Sequence, residues 1–241
     1  MDSLRMPADS PRVGIVIVNI RQPEQLIRCI DSLRAVDYPN LDLVVVANAA
    51  VDEQVERLRS RLPGLEWVVS TANRGYTGAN NLGIQRALEL GSNYLLVMND
   101  DTECIAPDFI RRLVSFLELN PRVALAGPRV YLRRRGEVQN TVLCYPSLMG
   151  NLFDWFGFRL FPRLYERSGD APRLAEMLNG VCVMVRAAAI RQVGAFDASF
   201  FMYVEDADLG WRLRRAGWQI AYLPVDSIIH HQKTAGYDLE G

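Results

Sequence analysis

Apolar residues occur along this chain in short unbroken runs, separated by longer stretches where they recur every three or four positions. Residues 13–18 (Val-Gly-Ile-Val-Ile-Val) form the first run, largely β-branched, as a strand covered on both faces requires. Pro23 then opens a stretch in which Leu26, Ile27, Ile30 and Leu33 keep the spacing of one helix face. The alternation continues with a strand at 41–47, a helix at 52–62 ended by Pro63, and a short strand at 66–69. A helix at 75–90 stops at Gly91, a strand follows at 94–98, and a helix at 107–119 stops before Pro121. This order predicts an α/β protein with a doubly wound, mostly parallel sheet.

Beyond residue 120 the pattern is less regular. Strands are expected at 123–126 and 181–185, with an irregular segment at 133–173 between them. A short helix at 187–193 ends at Gly194, a second at 205–215 is closed by Gly217, and a last strand covers 219–223. The sequence has no internal repeat and no low-complexity linker. We divide it into a flexible N-terminus (1–12), a nucleotide-binding half (13–127), an acceptor-side half (128–234) of the same domain, and a tail (235–241).

Composition narrows the classes. The 241 residues are 49% hydrophobic and 23% charged, which excludes disordered, collagen-like and disulfide-scaffold chains. A balance of 27 Lys+Arg against 28 Asp+Glu gives a net charge of −1, so nucleic acid is not an expected partner. Cys29, Cys104, Cys144 and Cys182 form no CxxC pair and read as reduced thiols of an intracellular protein. The first 11 residues lack the apolar core of a secretory signal, and no stretch reaches 18 apolar residues. The aromatic stretch 153–161, with Trp155 and Phe156, suits a lipid surface or lipid-linked substrate, or equally a loop packed on its own domain.

Candidate chemistry sits where strands end, because ligands of open α/β sheets bind beyond the carboxyl ends of the strands. Asn19, Asn48, Asn73 and the cluster Asn99-Asp100-Asp101 occupy such places. Adjacent carboxylates repel unless a positive charge joins them, and a hard divalent cation is the simplest joiner; a strand-end turn capping the next helix is the competing explanation. Asn73-Arg74-Gly75 through Asn80 opens a helix and can offer backbone N–H groups and one Arg to a diphosphate, although it is neither a dinucleotide fingerprint nor a P-loop. Glu205-Asp206-Ala207-Asp208 opens another helix. Acidic residues there suit the helix dipole, yet either Asp206 or Glu205 could be a general base in a half-apolar pocket. Asp208 and Arg212, four apart, are expected to pair. His230-His231 is either a surface pair or, at a strand end beside a cation, a source of one ligand.

Taken in order, these segments resemble glycosyltransferase family 2, in the branch with bacterial rhamnosyltransferases of surface-polysaccharide assembly. The resemblance covers 13 to about 234 and rests on Ile-Val-Ile-Val-Asn at 15–19, Asn73-Arg74-Gly75 with Asn80, and Met98-Asn99-Asp100-Asp101-Thr102. It continues with Asn179-Gly180-Val181-Cys182, Val193-Gly194-Ala195-Phe196-Asp197, and the long block from Phe201 through Glu205-Asp206 to Trp211-Arg212-Leu213. It implies the GT-A fold, a single Rossmann-like sheet with an irregular acceptor-side half. It also implies inverting sugar transfer from a nucleotide diphosphate donor, helped by Mg or Mn. By analogy Asp206 is the catalytic base, and Asp101 and His230 hold the cation. Asn19, Asn48, Asn73, Arg74, Gly75, Asn80, Asn99 and Asp100 face the donor, and Glu205, Gly180 and Trp211 lie on the acceptor side. The acceptor would be a glycan, a lipid-linked sugar or a small molecule, and the place of work the cytoplasm, with peripheral contact at the inner face of the membrane. Relatives often continue beyond the position of His231, where a lid or membrane-docking segment is expected.

Three departures bear on this resemblance. The family's Asp-Asn-x-Ser-x-Asp reads Ala47-Asn48-Ala49-Ala50-Val51-Asp52, so the acid that accepts N3–H of a uracil or thymine ring is Ala47. Asn-Tyr-Asn reads Asn19-Ile20-Arg21, and the first carboxylate of Asp-x-Asp is Asn99. Two other classes compete: a degenerate domain that binds a nucleotide or glycan without turnover, and a nucleotidyltransferase, which leaves the block from Glu205 to Arg212 unexplained.

Overall fold

A computed structural model of the chain describes residues 10–133, 137–145 and 169–231. The stretch 1–9, the aromatic stretch 153–161 and the tail 235–241, each given a role above, lie outside the described residues. Residues 10–12, counted above with a flexible terminus, are instead tied down. Tyr38 Oη donates to Pro11 O (2.6 Å), Asn40 Nδ2 to Ser10 O (2.6 Å), and the Arg12 guanidinium grips Asp42.

The first half follows the predicted alternation: β1 (Val13–Asn19), α1 (Pro23–Leu33), β2 (Leu41–Asn48), α2 (Asp52–Arg61), β3 (Glu66–Ser70), α3 (Gly75–Glu89) and β4 (Tyr94–Asn99). Then come β5 (Thr102–Cys104), which periodicity did not reveal, and α4 (Phe109–Leu119), which starts two residues later than expected. The second half carries β6 (Val123–Leu132), β7 (Glu137–Val138), β8 (Val142–Leu143), β9 (Arg173–Ala175), β10 (Met177–Leu178), β11 (Cys182–Arg186), α5 (Ala187–Val193), α6 (Glu205–Arg215) and β12 (Gln219–His230).

The central sheet runs β3-β2-β1-β4-β11-β6-β12-β5. It is mixed and mostly parallel: β1, β2, β3 and β4 pair in parallel, as do β6 and β12, while β11 is antiparallel to both β4 and β6. Helices cover both faces, which is why β1 is apolar without interruption. Val13, Ile15 and Ile17 turn to the side of α1 and α4, packing with Leu26, Ile30, Ile110 and Leu113. Val16 turns to the other side, with Ile84 of α3 and Leu209 and Leu213 of α6. Helix α3 lies unusually close to the sheet: a Cβ on Gly83 would stand 2.4 Å from Val16 Cγ1. Any larger residue there would push the helix, and the loop before it, off the site.

Two strands outrun the sequence reading. β6 continues through Gly127 and Pro128 to Leu132, and β12 through Pro224 to His230. Proline cannot donate to a ladder, so Pro224 argued for a strand end; the sheet accommodates it with register shifts between Tyr222 and Ile228. His230 therefore closes the last strand rather than following it.

Candidate active site

Sheet direction brings the polar tips together. β1, β2 and β4 end at one edge with Asn19, Asn48 and Asn99. β11 runs opposite to β4, so its start lands at that edge, and Asn99 N–H donates to Val181 O (3.1 Å). β12 runs the same way as β4 and delivers His230 there, paired to Thr102 across β5, with His231 N–H donating to Asp101 O (2.8 Å). Segments more than 200 residues apart in the chain thus meet at one sheet edge.

The loop before α3 is built by asparagines. Asn48, buried, accepts Arg74 N–H on Oδ1 (2.9 Å) and donates from Nδ2 to Asn73 Oδ1 (3.1 Å) and Gly75 O (3.4 Å). Asn73 Oδ1 also accepts Gly75 N–H (3.0 Å). Asn48 is therefore spent on holding this loop. Gly75 has φ +66°, and a Cβ there would meet Phe201 O at 2.3 Å, so glycine is required twice over. Asn80 donates back to Tyr76 O (2.9 Å), and Arg74 is exposed.

Two clefts open at this edge. One, of about 350 Å³, is lined by Asn73, Gly75, Tyr76, Asn80, Asn99, Asp100, Asp101 and by Phe201 and Met202. The larger, of about 530 Å³, lies between α1 and α2 with Ala47 and Asn19 at its base and Arg21, Gln54, Arg57 and Arg61 on its walls. It holds no carboxylate at position 47, the place where the resembled family has one.

At the acidic tip, Asn19 Nδ2 donates to Asp100 Oδ2 (2.6 Å). Asp101 Oδ1 and Asn99 Oδ1 are buried and accept no hydrogen bond, an arrangement that ordinarily costs about 1–3 kcal/mol per group unless a donor or cation arrives. His230 Nδ1 lies 2.8 Å from Gln139 Oε1, which fixes the ring so that Nε2 stands 3.2 Å from Asp101 Oδ1. These two atoms stand close to the ~3 Å that separates neighbouring ligands on one octahedral cation. Among the described residues no three His, Cys, Asp or Glu side chains converge, so the chain offers such an ion these two ligand atoms. Gln139, which orients His230, carried no signal in the sequence.

Asp206 stands in the first turn of α6. Ala207 N–H (2.8 Å) donates to its Oδ1 and Gly180 N–H (3.3 Å) to its Oδ2. Burial pushes its carboxyl above the ordinary aspartate range, and these two backbone donors pull the other way. Neighbouring Glu205 is buried with Oε2 unpartnered, and burial with the charge of Asp206 raises it as well. The turn leading into α6 is strained: Tyr203 and Val204 adopt φ of 72° and 73°, a left-handed conformation that is rare for a β-branched side chain.

Among the described residues the two acidic centres border different hollows. Asp101 belongs to the 350 Å³ cleft, whereas Asp206 and Gly180 border a small void lined by Leu178, Phe196, Leu209 and Ile220. Tyr76 connects them: its ring lines the cleft, and its hydroxyl donates to Gly180 O (3.1 Å). Trp211 is not part of this group; it is half exposed on α6 and stacks under Arg215, 4.7 Å from the ring centroid. Asp208 and Arg212 make the expected pair, and Arg212 also donates to Val193, Gly194 and Ala195 carbonyls, anchoring α6 to α5. Tyr76, Phe201 and Met202 stand in segments that the sequence singled out, but they were not among its candidate site residues; the fold brings them to the cleft.

This edge, with its asparagine-built loop and acidic tip, is that of a GT-A glycosyltransferase. The profile of Glycosyltransferase like family 2 matches residues 11–239, and the chain belongs to that family. It is 29% identical over 234 residues to the N-acetylglucosaminyl-diphospho-decaprenol L-rhamnosyltransferase of Mycobacterium tuberculosis, covering 90% of this chain and 75% of that one. It is 30% identical over 221 residues to the low-salt glycan biosynthesis hexosyltransferase Agl10 of Haloferax volcanii, covering 91% and 67%. Among solved structures, S. aureus TarS 1-349 matches with a TM-score of 0.62 at 12% identity, over 91% of this chain and 60% of that one, which establishes the shared fold. No helix among the described residues is long and apolar enough to cross a membrane.

Proposed function

We propose that the protein is an inverting glycosyltransferase that moves a hexose, rhamnose-like or other, from a nucleotide diphosphate donor to a hydroxyl of a glycan, lipid-linked or small-molecule acceptor. The observation that carries this reading is the environment of Asp206: a carboxylate raised by burial, oriented by two backbone N–H groups, in a family of sugar transferases. A carboxylate raised in this way is a stronger proton acceptor than an ordinary aspartate. The acceptor hydroxyl passes its proton to Asp206 as its oxygen bonds the anomeric carbon, and the bond from that carbon to the donor phosphate breaks with its electrons leaving on the diphosphate. Attack from the face opposite the diphosphate inverts the anomeric centre in one displacement. The loop Asn73–Gly75 and the start of α3 would face the diphosphate with Arg74 and backbone donors. Asp101 Oδ1 and His230 Nε2 would hold a Mg or Mn ion, which supplies charge neutralisation for the departing diphosphate. The decaprenol-linked substrate in the relative's name supports a lipid-linked acceptor and peripheral membrane contact for this chain too.

Asp206→Asn tests the reading. Transfer falls by about 10²–10⁴-fold while binding of the nucleoside diphosphate by calorimetry is retained. A variant with undiminished rate removes Asp206 from the base role. The second reading, a binding domain without turnover, draws on Ala47 and Asn99, which stand where the resembled family has carboxylates. Nucleotide binding with manganese but no transfer across a wide acceptor panel favours it.

A further inference from the structure

We propose that Tyr76 is a positioning residue that sets the orientation of the Asp206 carboxylate and so ties the donor loop to the base. The proposal rests on the reading of Asp206 as proton acceptor. Its ground is a chain of contacts between parts of the molecule far apart in sequence. Tyr76 Oη donates to Gly180 O (3.1 Å), and Gly180 N–H donates to Asp206 Oδ2 (3.3 Å). Tyr76 N–H donates to Phe201 O (2.9 Å), at the head of the strained turn that feeds α6. Just over a turn along α3, Asn81 Nδ2 donates to Phe196 O (2.8 Å) and Asn81 Oδ1 accepts Phe196 N–H (3.0 Å). The first two turns of α3 are thus stitched to three points that precede Asp206 in the chain, Gly180, Phe196 and Phe201, while their own start is the loop held by Asn48.

Gly180 is the movable joint in this chain. It has no side chain to restrain it, and a Cβ there would come within 3.3 Å of Tyr76 Oη. Without the tyrosine hydroxyl, Gly180 O loses its donor, the glycine is free to turn, and the N–H on Asp206 Oδ2 turns with it. The N–H groups of Ala207 and of Asp206 itself then hold the carboxylate without the third donor. Among the described residues, the ionisable groups that bear on Asp206 are Glu205, on the same turn of α6, and Tyr76 itself, whose hydroxyl stays protonated through burial and the two nearby carboxylates. Neither brings a positive charge, so backbone hydrogen bonds are what hold the carboxylate in its charged form against burial.

The test is a pH titration of Asp206 in the whole chain by carboxylate ¹³C NMR, its resonance assigned with Asp206→Asn, in the native protein and in Tyr76→Phe. The phenylalanine keeps the ring contact with Phe196. Loosening a hydrogen bond to the charged form moves the Asp206 midpoint upward, by about 0.5. In parallel, kcat for transfer falls roughly tenfold with little change in the donor KM, because geometry at the base and not donor affinity is disturbed. Gly180→Ala, which crowds the same hydroxyl, moves the midpoint the same way and gives an independent reading. An Asp206 midpoint unchanged in both variants overturns the proposal, whatever the activity does. Full transfer by Asp206→Asn instead overturns the base reading, and with it the catalytic meaning of the link.

Discussion

Gly75→Ala is the sharpest probe of how the two halves of the site are joined. At φ +66° an L side chain costs about 1–2 kcal/mol through its clash with the backbone. The new Cβ would also stand 2.3 Å from Phe201 O and 2.8 and 2.9 Å from two ring atoms of Phe201. Phe201 O must retreat by about 1 Å to reach ordinary contact. That breaks its hydrogen bond from Tyr76 N–H (2.9 Å), which is worth about 1 kcal/mol. Together these effects destabilise the fold by about 2–3 kcal/mol, or roughly 4–12 °C in Tm for a chain of this length. Gly64→Ala is the matched control. Its φ is +81° but nothing lies within 4 Å of the added methyl, so only the conformational cost of about 1–2 kcal/mol applies. Thermal unfolding by circular dichroism, run on both variants, isolates the contact as the difference. If Gly75→Ala melts no lower than Gly64→Ala, the loop before α3 and the turn before α6 are not in contact in solution, and the coupling argued here fails.

Three further outcomes follow from other parts of the structure. Arg186 is largely buried and donates to Val123 O (2.8 Å), Asn120 O (3.3 Å), Leu117 O and Tyr94 Oη (2.7 Å), so Arg186→Met strands several acceptors at the end of α4. Chemical denaturation is expected to register a loss of about 2–4 kcal/mol, and a loss below 1 kcal/mol would sink this account. Asp206 has a folded-state pKa above its unfolded value, so the native state binds the extra proton and stability falls as pH rises through that interval. Asp206→Asn should therefore melt higher than the native protein at pH 7, with the gain vanishing below the ordinary aspartate range; a lower melting point at pH 7 contradicts the burial argument. Asp101→Asn removes the negative charge from one of the two candidate ligand atoms, Asp101 Oδ1 and His230 Nε2, so calorimetry should find that manganese no longer strengthens nucleoside diphosphate binding. Equal enhancement in both proteins would place the cation elsewhere.

The strands β1 to β4 and their helices were legible in the chain because their cause is local. Burial on two faces demands an unbroken apolar strand, and burial on one demands a repeat of three or four; both are written within a dozen neighbouring residues. The same holds for Pro23 at a helix start and for the Asp208–Arg212 pair. The short strand β5, the run of β12 past Pro224 and the place of His230 within it were not, since each depends on a partner strand that supplies its hydrogen bonds from far along the chain. The candidate site divides in the same way. Asparagines and acids at strand ends announced themselves by position, but their work did not: Asn48 turned inward to build a loop, Gln139 aimed His230, and Trp211 faced away. The link from Tyr76 through Gly180 to Asp206 spans 104 positions and then 26. Only the antiparallel insertion of β11 beside β4 brings those residues within reach of one hydrogen bond, and no local pattern encodes a pairing between distant strands.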